Sequence, residues 1–281
     1  MPRFSEVSTR ADVMILCPFL NTLRNPAVGG VALGLAILIV LAALPPLLRV
    51  VWGWRAPSLH PAQWRARVVA RYQKVSTFVW IFAACKIRFD PLFAELREFL
   101  QKRSNVRTVL DIGCGYGVPG CALLEWLPEV RVYGLDPLAE RVQVASAVFG
   151  ARGQAVAQGA PDIATPAFPE QFDLVLVLDV IHFLPDEAFK STLQNIHTAL
   201  GSLGYLYMRA VIPPTGRGTL SWQIEMLRQR FSGKHLHYRS VEQIRAMIAA
   251  AGFAVEQVEI SGGNAEMVWY IARALPSAPP V

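Results

Sequence analysis

Short apolar runs alternate with amphipathic segments over the second half of the chain. The apolar runs are rich in β-branched residues and predict five strands, at 106–112, 130–135, 154–158, 172–180 and 204–211. Apolar residues recur at helical spacing between them, which predicts helices at 118–127, 138–149 and 186–200. Two further strands follow a predicted helix at 241–251; they lie at 253–260 and 266–274 and flank a Gly-Gly-Asn turn. The alternation predicts an α/β fold, with a mostly parallel sheet covered by helices on both faces.

A helical linker or cap is predicted before this region, at 57–104. Asp90 followed by Pro91 predicts a helix start, with Asp90 as the N-cap residue. The apolar run at 77–85 is too short to span a bilayer. We expect a core or docking helix there, with an interfacial helix or a wall of the substrate entry as alternatives.

The segment 1–56 contains the most apolar stretch of the chain. Residues 27–44 are 18 residues without a charge, and a helix of that length is about 27 Å long. That length just spans a thin bilayer, so the pattern predicts a membrane helix at about 27–51. A cleaved signal peptide, and a helix lying in the interface or docked on the domain, are the alternatives. Gly30 and Gly34 are spaced for self-association of such a helix.

The charge of the chain is concentrated beside this apolar stretch. The formal net charge is +6, but residues 49–107 alone contain 12 Lys and Arg against three Asp and Glu. A basic block next to an apolar segment favours an anionic membrane surface over nucleic acid. Because the basic side is the C-terminal one, we expect the main domain to be cytoplasmic.

The four cysteines are Cys17, Cys85, Cys114 and Cys121. They form no C-x-x-C pair and no histidine cluster accompanies them, so the sequence predicts reduced thiols and no metal site.

A glycine-rich turn follows the first predicted strand. Asp111 precedes glycines at alternate positions, Gly113, Gly115 and Gly117. Glycine lets the backbone approach a ligand, and the helix that opens after the turn offers free N–H groups. The stretch is not the dinucleotide fingerprint G-x-G-x-x-G, because Val118 occupies the position of its third glycine. An acid inside the turn disfavours a pyrophosphate and suits a ligand with a positive centre.

The run D-x-G-x-G-x-G resembles motif I of the class I S-adenosylmethionine-dependent methyltransferases. That cofactor carries a sulfonium and an α-ammonium group, in keeping with an acid in the turn. The resemblance covers about residues 90–275 and implies a Rossmann-like, seven-stranded sheet in the order 3-2-1-4-5-7-6, with only the last strand antiparallel. It places the methyltransferase domain at 105–275, followed by a tail at 276–281.

The resemblance and the strand ends together suggest a set of cofactor-binding residues. Asp136 ends the second strand, where it can accept hydrogen bonds from ribose hydroxyls, cap the next helix, or do both. The acid expected after the third strand for the adenine amino group is replaced by Ala160; Asp162 is the nearest candidate, and Gln158 or a backbone carbonyl is the alternative. The full predicted set is Asp111, Gly113, Cys114, Gly115, Gly117, Asp136, Pro137, Ala160, Asp162 and Asp179.

The turn after the fourth strand resembles the fourth motif of the same family. It runs from Asp179 through His182, and a neutral imidazole there could remove a proton from an acceptor hydroxyl during methyl transfer. The alternative is a histidine that fills space near the cofactor. Arg209, near the end of the fifth strand, is expected to form a salt bridge rather than to orient an anionic group.

A 29-residue insertion at 212–240 lies at the predicted ligand edge of the sheet, and we expect a lid there. An amphipathic helix is predicted at 219–231. The candidate substrate contacts are Tyr116, Trp222, His235, His237 and Tyr238; for the last three, surface positions before the helix at 241–251 are the alternative.

These patterns favour a membrane-anchored methyltransferase whose acceptor is a hydrophobic small molecule or lipid-like compound, with oxygen as the methylated atom. A non-catalytic membrane-tethered scaffold with a vestigial cofactor fold is the alternative. Asp111 and the missing fingerprint argue against a nicotinamide oxidoreductase. No Asn-Pro-Pro-Tyr-type signature and no Pro-Cys nucleophile follows the fourth strand, which disfavours DNA base methylation.

Overall fold

The computed structural model describes residues 63–276, except residues 104, 215, 217, 220, 221, 224, 225 and 227–234. The predicted membrane segment at 27–51 and most of the predicted lid helix therefore lie outside the described residues. Within the described part, no helix is both long enough and apolar enough to cross a bilayer.

Seven strands form one sheet in the order β3-β2-β1-β4-β5-β7-β6. The strands are β1 Thr108–Ile112, β2 Arg131–Asp136, β3 Gly153–Ala157, β4 Phe172–Leu178, β5 Leu200–Val211, β6 Phe253–Ser261 and β7 Asn264–Ala274. Strand β7 pairs antiparallel with both β5 and β6, and the other pairs are parallel. The predicted fold class, strand order and direction are confirmed.

The described helices are α1 Trp64–Tyr72, α2 Thr77–Phe89, α3 Leu92–Gln101, α4 Val118–Trp126, α5 Ala139–Phe149, α6 Asp186–Ala199 and α7 Val241–Ala250. Two short 3₁₀ turns, Gly150–Arg152 and Ile181–Phe183, follow α5 and β4. Most observed boundaries agree with the predicted ones within two residues. The start of β5 is an exception: the strand begins four residues earlier than predicted, because Leu200 pairs with Phe172 of β4.

The centre of the sheet is apolar on both faces, as a parallel sheet between two helical layers requires. Residues of β1 and β4 such as Val109, Leu110 and Val175 are fully buried. At the amino ends of these strands, Asp173 Oδ2 accepts hydrogen bonds from the Arg107 and Thr108 amides, both at 2.8 Å. Asp173 therefore has a structural role at the amino ends of the strands, whereas open α/β sheets bind ligands at the opposite edge, outside the carboxyl ends.

The predicted start of α3 is wrong by one residue. The helix begins at Leu92, and Pro91 rather than Asp90 occupies the N-cap position. Asp90 still serves the helix start, because its Oδ1 accepts a hydrogen bond from the Leu92 amide at 2.9 Å.

A buried ion network connects the helical cap to the sheet. Arg209 of β5, only 1% exposed, donates to Asp179 at 2.5 Å and to Asp90 at 2.6 Å. Lys86 of α2 reaches the other Asp90 oxygen at 2.9 Å. Burial acts to raise the pKa of Asp90, but the hydrogen bonds and charge of Arg209 hold it well below its usual range. The predicted salt-bridge role of Arg209 is confirmed, and its ion pair with Asp90 connects residues that are 119 positions apart in the sequence.

We expect Asp90→Asn to lower the free energy of unfolding by about 2–3 kcal/mol at pH 6, because Arg209 loses one charged partner. The folded-state pKa of Asp90 is depressed, so its contribution is complete above the unfolded-state pKa of about 3.9 and is lost as pH falls towards the folded value. Urea unfolding at pH 6 and pH 3 should show that the loss of unfolding free energy caused by Asp90→Asn is about 1 kcal/mol smaller at pH 3. Glu98→Gln, in an exposed pair with Lys102, is the control and should change little. An equal penalty for Asp90→Asn at both pH values would contradict this assignment.

Candidate active site

The glycine turn after β1 folds directly against the end of β2. The amides of Gly113 and Cys114 both donate to the Leu135 carbonyl, at 2.7 and 2.9 Å. Gly113, Gly115 and Gly117 all have positive φ, at 75°, 56° and 77°. A side chain is excluded at Gly113, where a Cβ would lie 2.3 Å from Val180 Cγ2. At Gly115 a Cβ would meet nothing within 4 Å, so this glycine leaves open space beside the turn.

Asp136 lies at the carboxyl end of β2, beside this open space, and is 3% exposed. Its Oδ2 accepts from the Gly115 amide at 3.0 Å, and its Oδ1 accepts from the Leu138 amide at 2.9 Å. The predicted capping role is not observed, because Leu138 occupies the N-cap position of α5 without a side-chain cap hydrogen bond, and the Asp136 hydrogen bond goes to the backbone just before the helix. Each carboxylate oxygen has a second lone pair, so these two amides orient the group and leave acceptor capacity for a ligand hydroxyl.

Asp111 lies near the end of β1, just before the turn, and is 1% exposed. Among the described residues, none forms a hydrogen bond with its Oδ2. Burial raises the pKa of Asp111 to about 7; the charge of Lys86 lowers it, and the charge of Asp136 raises it. A buried polar atom without a partner is unfavourable, so this oxygen is a candidate to receive a ligand's donor or cation.

Cys114 and Tyr116 play packing roles in the turn. Cys114 is buried, and its sulfur lies 2.7 Å from the position that a Cβ on Gly134 would occupy. Burial raises the pKa of its thiol well above the usual range, so it is a poor nucleophile. The Tyr116 carbonyl accepts from the Tyr72 hydroxyl at 3.0 Å, and its ring meets Phe82 edge-on with centroids 5.5 Å apart.

The predicted adenine region follows β3 at the same edge of the sheet. Pro137 is exposed, and a Cβ on Gly159 would lie 3.4 Å from its Cβ. Asp162 is also exposed, whereas Ala160 packs against the core. The Gln158 side-chain amide donates to the carbonyls of Asp162 and Ala164, which orders this loop. The adenine contacts remain predictions.

Asp179 follows β4 in a left-handed conformation with a φ of 60°, which a residue with a side chain rarely adopts. Both of its carboxylate oxygens accept hydrogen bonds from Arg209, at 2.8 and 2.5 Å. The Asp179 side chain is still 27% exposed. Its position at the carboxyl end fits the predicted site, but its main partner is the guanidinium group.

His182 lies in the 3₁₀ turn after β4 and is 7% exposed. Its ring stacks on Tyr238 with an interplanar angle of 15° and centroids 5.9 Å apart, and Tyr238 in turn contacts Trp222 at 4.8 Å. The His182 carbonyl accepts from the His237 amide at 2.8 Å. The fold therefore brings His182, His237, Tyr238 and Trp222 together, while His235 is exposed.

Arg239 was not predicted from the sequence, although it holds this region together. It is 5% exposed and donates to the carbonyls of Ile181, Leu184 and His237, and it pairs with Asp186 at 2.6 Å. Arg239 thus fixes the His182 turn to the end of the insertion. No spacing rule would reveal it, because its partners other than His237 are more than 50 positions away.

Comparison with known proteins decides the family. Residues 85–258, more than half of the chain, match the model of the methyltransferase-domain family. The chain belongs to this family. S-adenosylmethionine is therefore its cofactor, in agreement with solved structures of the same fold that contain S-adenosylmethionine or S-adenosylhomocysteine.

Three solved structures illustrate how widely this methyltransferase fold is shared. A protein from Nostoc punctiforme, provisionally named an O-methyltransferase, is 19% identical with a TM-score of 0.56, over 74% of this chain and 67% of that one. Human N-acetylserotonin methyltransferase with S-adenosylmethionine is 19% identical with a TM-score of 0.54, over 79% and 61%. Mitomycin 7-O-methyltransferase is 20% identical with a TM-score of 0.53, over 73% and 59%. The chain thus spans about two thirds or less of the length of these proteins. No curated protein sequence matches it significantly.

The residues of the turn fit this cofactor. Asp111 Oδ2 is buried without a hydrogen-bond partner among the described residues, and Gly115 leaves open space next to Asp136. An acid there suits the sulfonium and ammonium charges of S-adenosylmethionine, and an acid at the end of β2 suits ribose hydroxyls. Within the described residues, no group of three His, Cys, Asp or Glu side chains is placed to hold a metal ion.

Asp111→Asn should change how the stability of the cofactor-free methyltransferase depends on pH. The folded-state pKa of Asp111 is raised to about 7, so its stabilising effect is complete below the unfolded-state pKa of about 3.9 and is lost as pH rises through 7. Relative to Asp111→Asn, the wild type should lose about 2–3 kcal/mol of unfolding free energy between pH 5 and pH 8. Urea unfolding of both proteins across that range measures the difference. Parallel pH profiles would mean that Asp111 is not a neutral acid in the cofactor-free fold.

Proposed function

We propose that this methyltransferase transfers a methyl group to an oxygen of a hydrophobic small-molecule or lipid-like acceptor. The proposal includes a membrane anchor at 27–51 and a cytoplasmic location for the catalytic domain. The observation that carries it is the position of His182, buried at the carboxyl end of β4 and stacked on Tyr238. A histidine among aromatic rings suits an apolar acceptor whose hydroxyl must lose a proton.

The anchor and the acceptor class are supported by the sequence and by the surface of the domain. The uncharged stretch at 27–44 and the basic block after it favour a membrane location. Aromatic side chains border the site: Phe183 beside His182 is 46% exposed, and Phe82 beside Tyr116 is 39% exposed. Such an apolar border favours a lipophilic compound over a charged one. The two neighbours named as O-methyltransferases agree with oxygen as the methylated atom.

The chain's own residues divide the work in this proposal. When bound, S-adenosylmethionine supplies a methyl group already activated by its sulfonium. Asp111, the glycine turn and Asp136 hold the cofactor, and the His182 imidazole takes the proton of the acceptor hydroxyl. Tyr238 and Trp222 orient the acceptor and exclude water. Holding the reactants in line can contribute roughly 7–11 kcal/mol, and a general base adds roughly 10²–10⁴-fold.

The test is methyl transfer from labelled S-adenosylmethionine to lipophilic phenols, carboxylic acids and quinols, with product analysis that identifies the methylated atom. Methylation of oxygen in a lipophilic acceptor supports the proposal. Methylation of nitrogen or carbon, or of polar acceptors only, would contradict it. Tight S-adenosylhomocysteine binding without turnover on any acceptor would favour the non-catalytic scaffold.

Once an acceptor has been identified, His182→Gln should lower kcat for its methylation by about 10²–10⁴-fold, because glutamine cannot take up a proton. The fall of kcat at acidic pH that a histidine base produces should disappear in the variant, while S-adenosylhomocysteine affinity stays unchanged. His197→Gln is the matched control, since His197 lies on α6 and contacts Phe253 and the Leu275 carbonyl. If His182→Gln keeps the wild-type kcat and pH profile, His182 only fills space.

A further inference from the structure

Helix α2 is apolar on two opposite sides, and only one of them is buried. Val79, Ala83, Ala84 and Ile87 face the domain core. Phe78, Phe82 and Phe89 are 65%, 39% and 71% exposed. Their spacing of four and seven residues places them in one line along the helix. We call these three side chains the α2 aromatic stripe.

Cations predominate beside this stripe in the neighbouring sequence, and the acid that follows it, Asp90, is paired with Lys86 and Arg209. Residues 63–89 contain six Lys and Arg and no Asp or Glu. Lys74 and Arg88, at either end of the stripe, are exposed, and the Arg88 guanidinium lies 5.8 Å from the Phe89 ring centroid. Exposed aromatic rings bordered by basic residues are the pattern of a surface that lies in a membrane interface.

The sequence also argues against the chain itself as the occupant of this surface. Residues 13–62 contain no Asp or Glu, so that segment offers no acid to pair with Lys74 or Arg88. A second copy of the same face would bring further cations towards them. Anionic lipid supplies both the negative charge and the apolar environment.

One ring of the stripe contacts the glycine turn after β1. Phe82 contacts the Tyr116 ring, and Tyr116 lies between Gly115 and Gly117. At the other end of the helix, Lys86 and Asp90 connect to Arg209 and Asp179 at the carboxyl ends of the strands. A membrane in contact with the stripe would therefore lie next to the entrance of the site.

We propose that the α2 aromatic stripe inserts into the interface of an anionic bilayer, with Lys74 and Arg88 at the headgroups. This contact is made by the catalytic domain itself and is separate from the predicted anchor at 27–51. It gives a lipophilic acceptor dissolved in the membrane a direct route to the site, a consequence that rests on the proposed function.

The contact can be tested with an environment-sensitive fluorophore on the full-length chain. The label is attached at Phe78→Cys in a background with Cys17→Ser and Cys85→Ser; Cys114 and Cys121 are buried. Phe89→Cys is a second labelling site on the stripe. Ile260→Cys is the matched control, because Ile260 is an apolar residue of β6 that is 55% exposed. Circular dichroism and S-adenosylhomocysteine binding check that each variant is folded.

On vesicles of phosphatidylcholine and phosphatidylglycerol, the labels at 78 and 89 should shift to the blue and be quenched by brominated acyl chains. The label at 260 should do neither. Lys74→Gln with Arg88→Gln should lower the ratio of inserted to free label about 30-fold, since each cation near an anionic surface contributes about a factor of five. Lys190→Gln with Arg245→Gln, which neutralises exposed cations on α6 and α7, should leave the ratio unchanged.

Two results would overturn the inference. One is that the labels at 78 and 89 show neither a blue shift nor quenching when these vesicles are added. The same result overturns the inference if the chain binds the vesicles through another segment. The other is a blue-shifted label at both sites without lipid, which would mean that protein covers the stripe. Because the readout needs no turnover, either result leaves the proposed methyl transfer to be judged by its own assay.

Discussion

The buried carboxyl group of Asp111 is the constraint on which the site depends. It lies at the end of the central strand β1, 1% exposed, and no described residue forms a hydrogen bond with its Oδ2. An isolated ionised carboxylate in such a place is costly, so burial raises the pKa of Asp111 to about 7. A cofactor with positive charge removes that cost on binding. In the cofactor-free fold, the buried Asp111 carboxyl group therefore favours a ligand that carries positive charge.

The other acids at the same edge are satisfied by the protein, and each arrangement has a different consequence. Asp136 is oriented by two backbone amides of the neighbouring turns, which leaves it able to accept hydroxyl donors. Asp179 is neutralised by Arg209, which also binds Asp90 at the start of α3. This pairing fixes the helical cap to the sheet edge next to the His182 turn. The charges of Asp90 and Asp179 are thus compensated by Arg209, whereas Asp111 keeps an oxygen without a hydrogen-bond partner among the described residues.

The sheet could be predicted from the sequence because each strand carries its own local signal. Parallel strands buried on both faces give apolar runs, and the glycine turn carries an acid and three glycines that the backbone conformation requires. The positions of Asp111, Asp136 and Asp179 at the carboxyl ends followed directly from those runs.

The remaining features depend on contacts between distant residues or on a face that periodicity cannot assign. Arg209 and Asp90 are 119 positions apart, and Arg239 reaches residues on the far side of the insertion. Helix α2 was expected to be a core or docking helix, and one side of it does pack on the domain. Because α2 is apolar on both sides, its sequence could not tell which aromatic rings stay exposed.

The central claim is that the turn after β1 and the acid at the end of β2 form an S-adenosylmethionine site, and calorimetric titration with S-adenosylhomocysteine tests it most directly. Wild-type protein in detergent should bind in the micromolar range. Asp136→Ala should weaken binding at least tenfold, Asp136→Asn should weaken it less, and Glu170→Ala, at an exposed acid before β4, should have no effect. Well-folded wild-type protein that does not bind, or binding that Asp136→Ala leaves unchanged, would contradict the account.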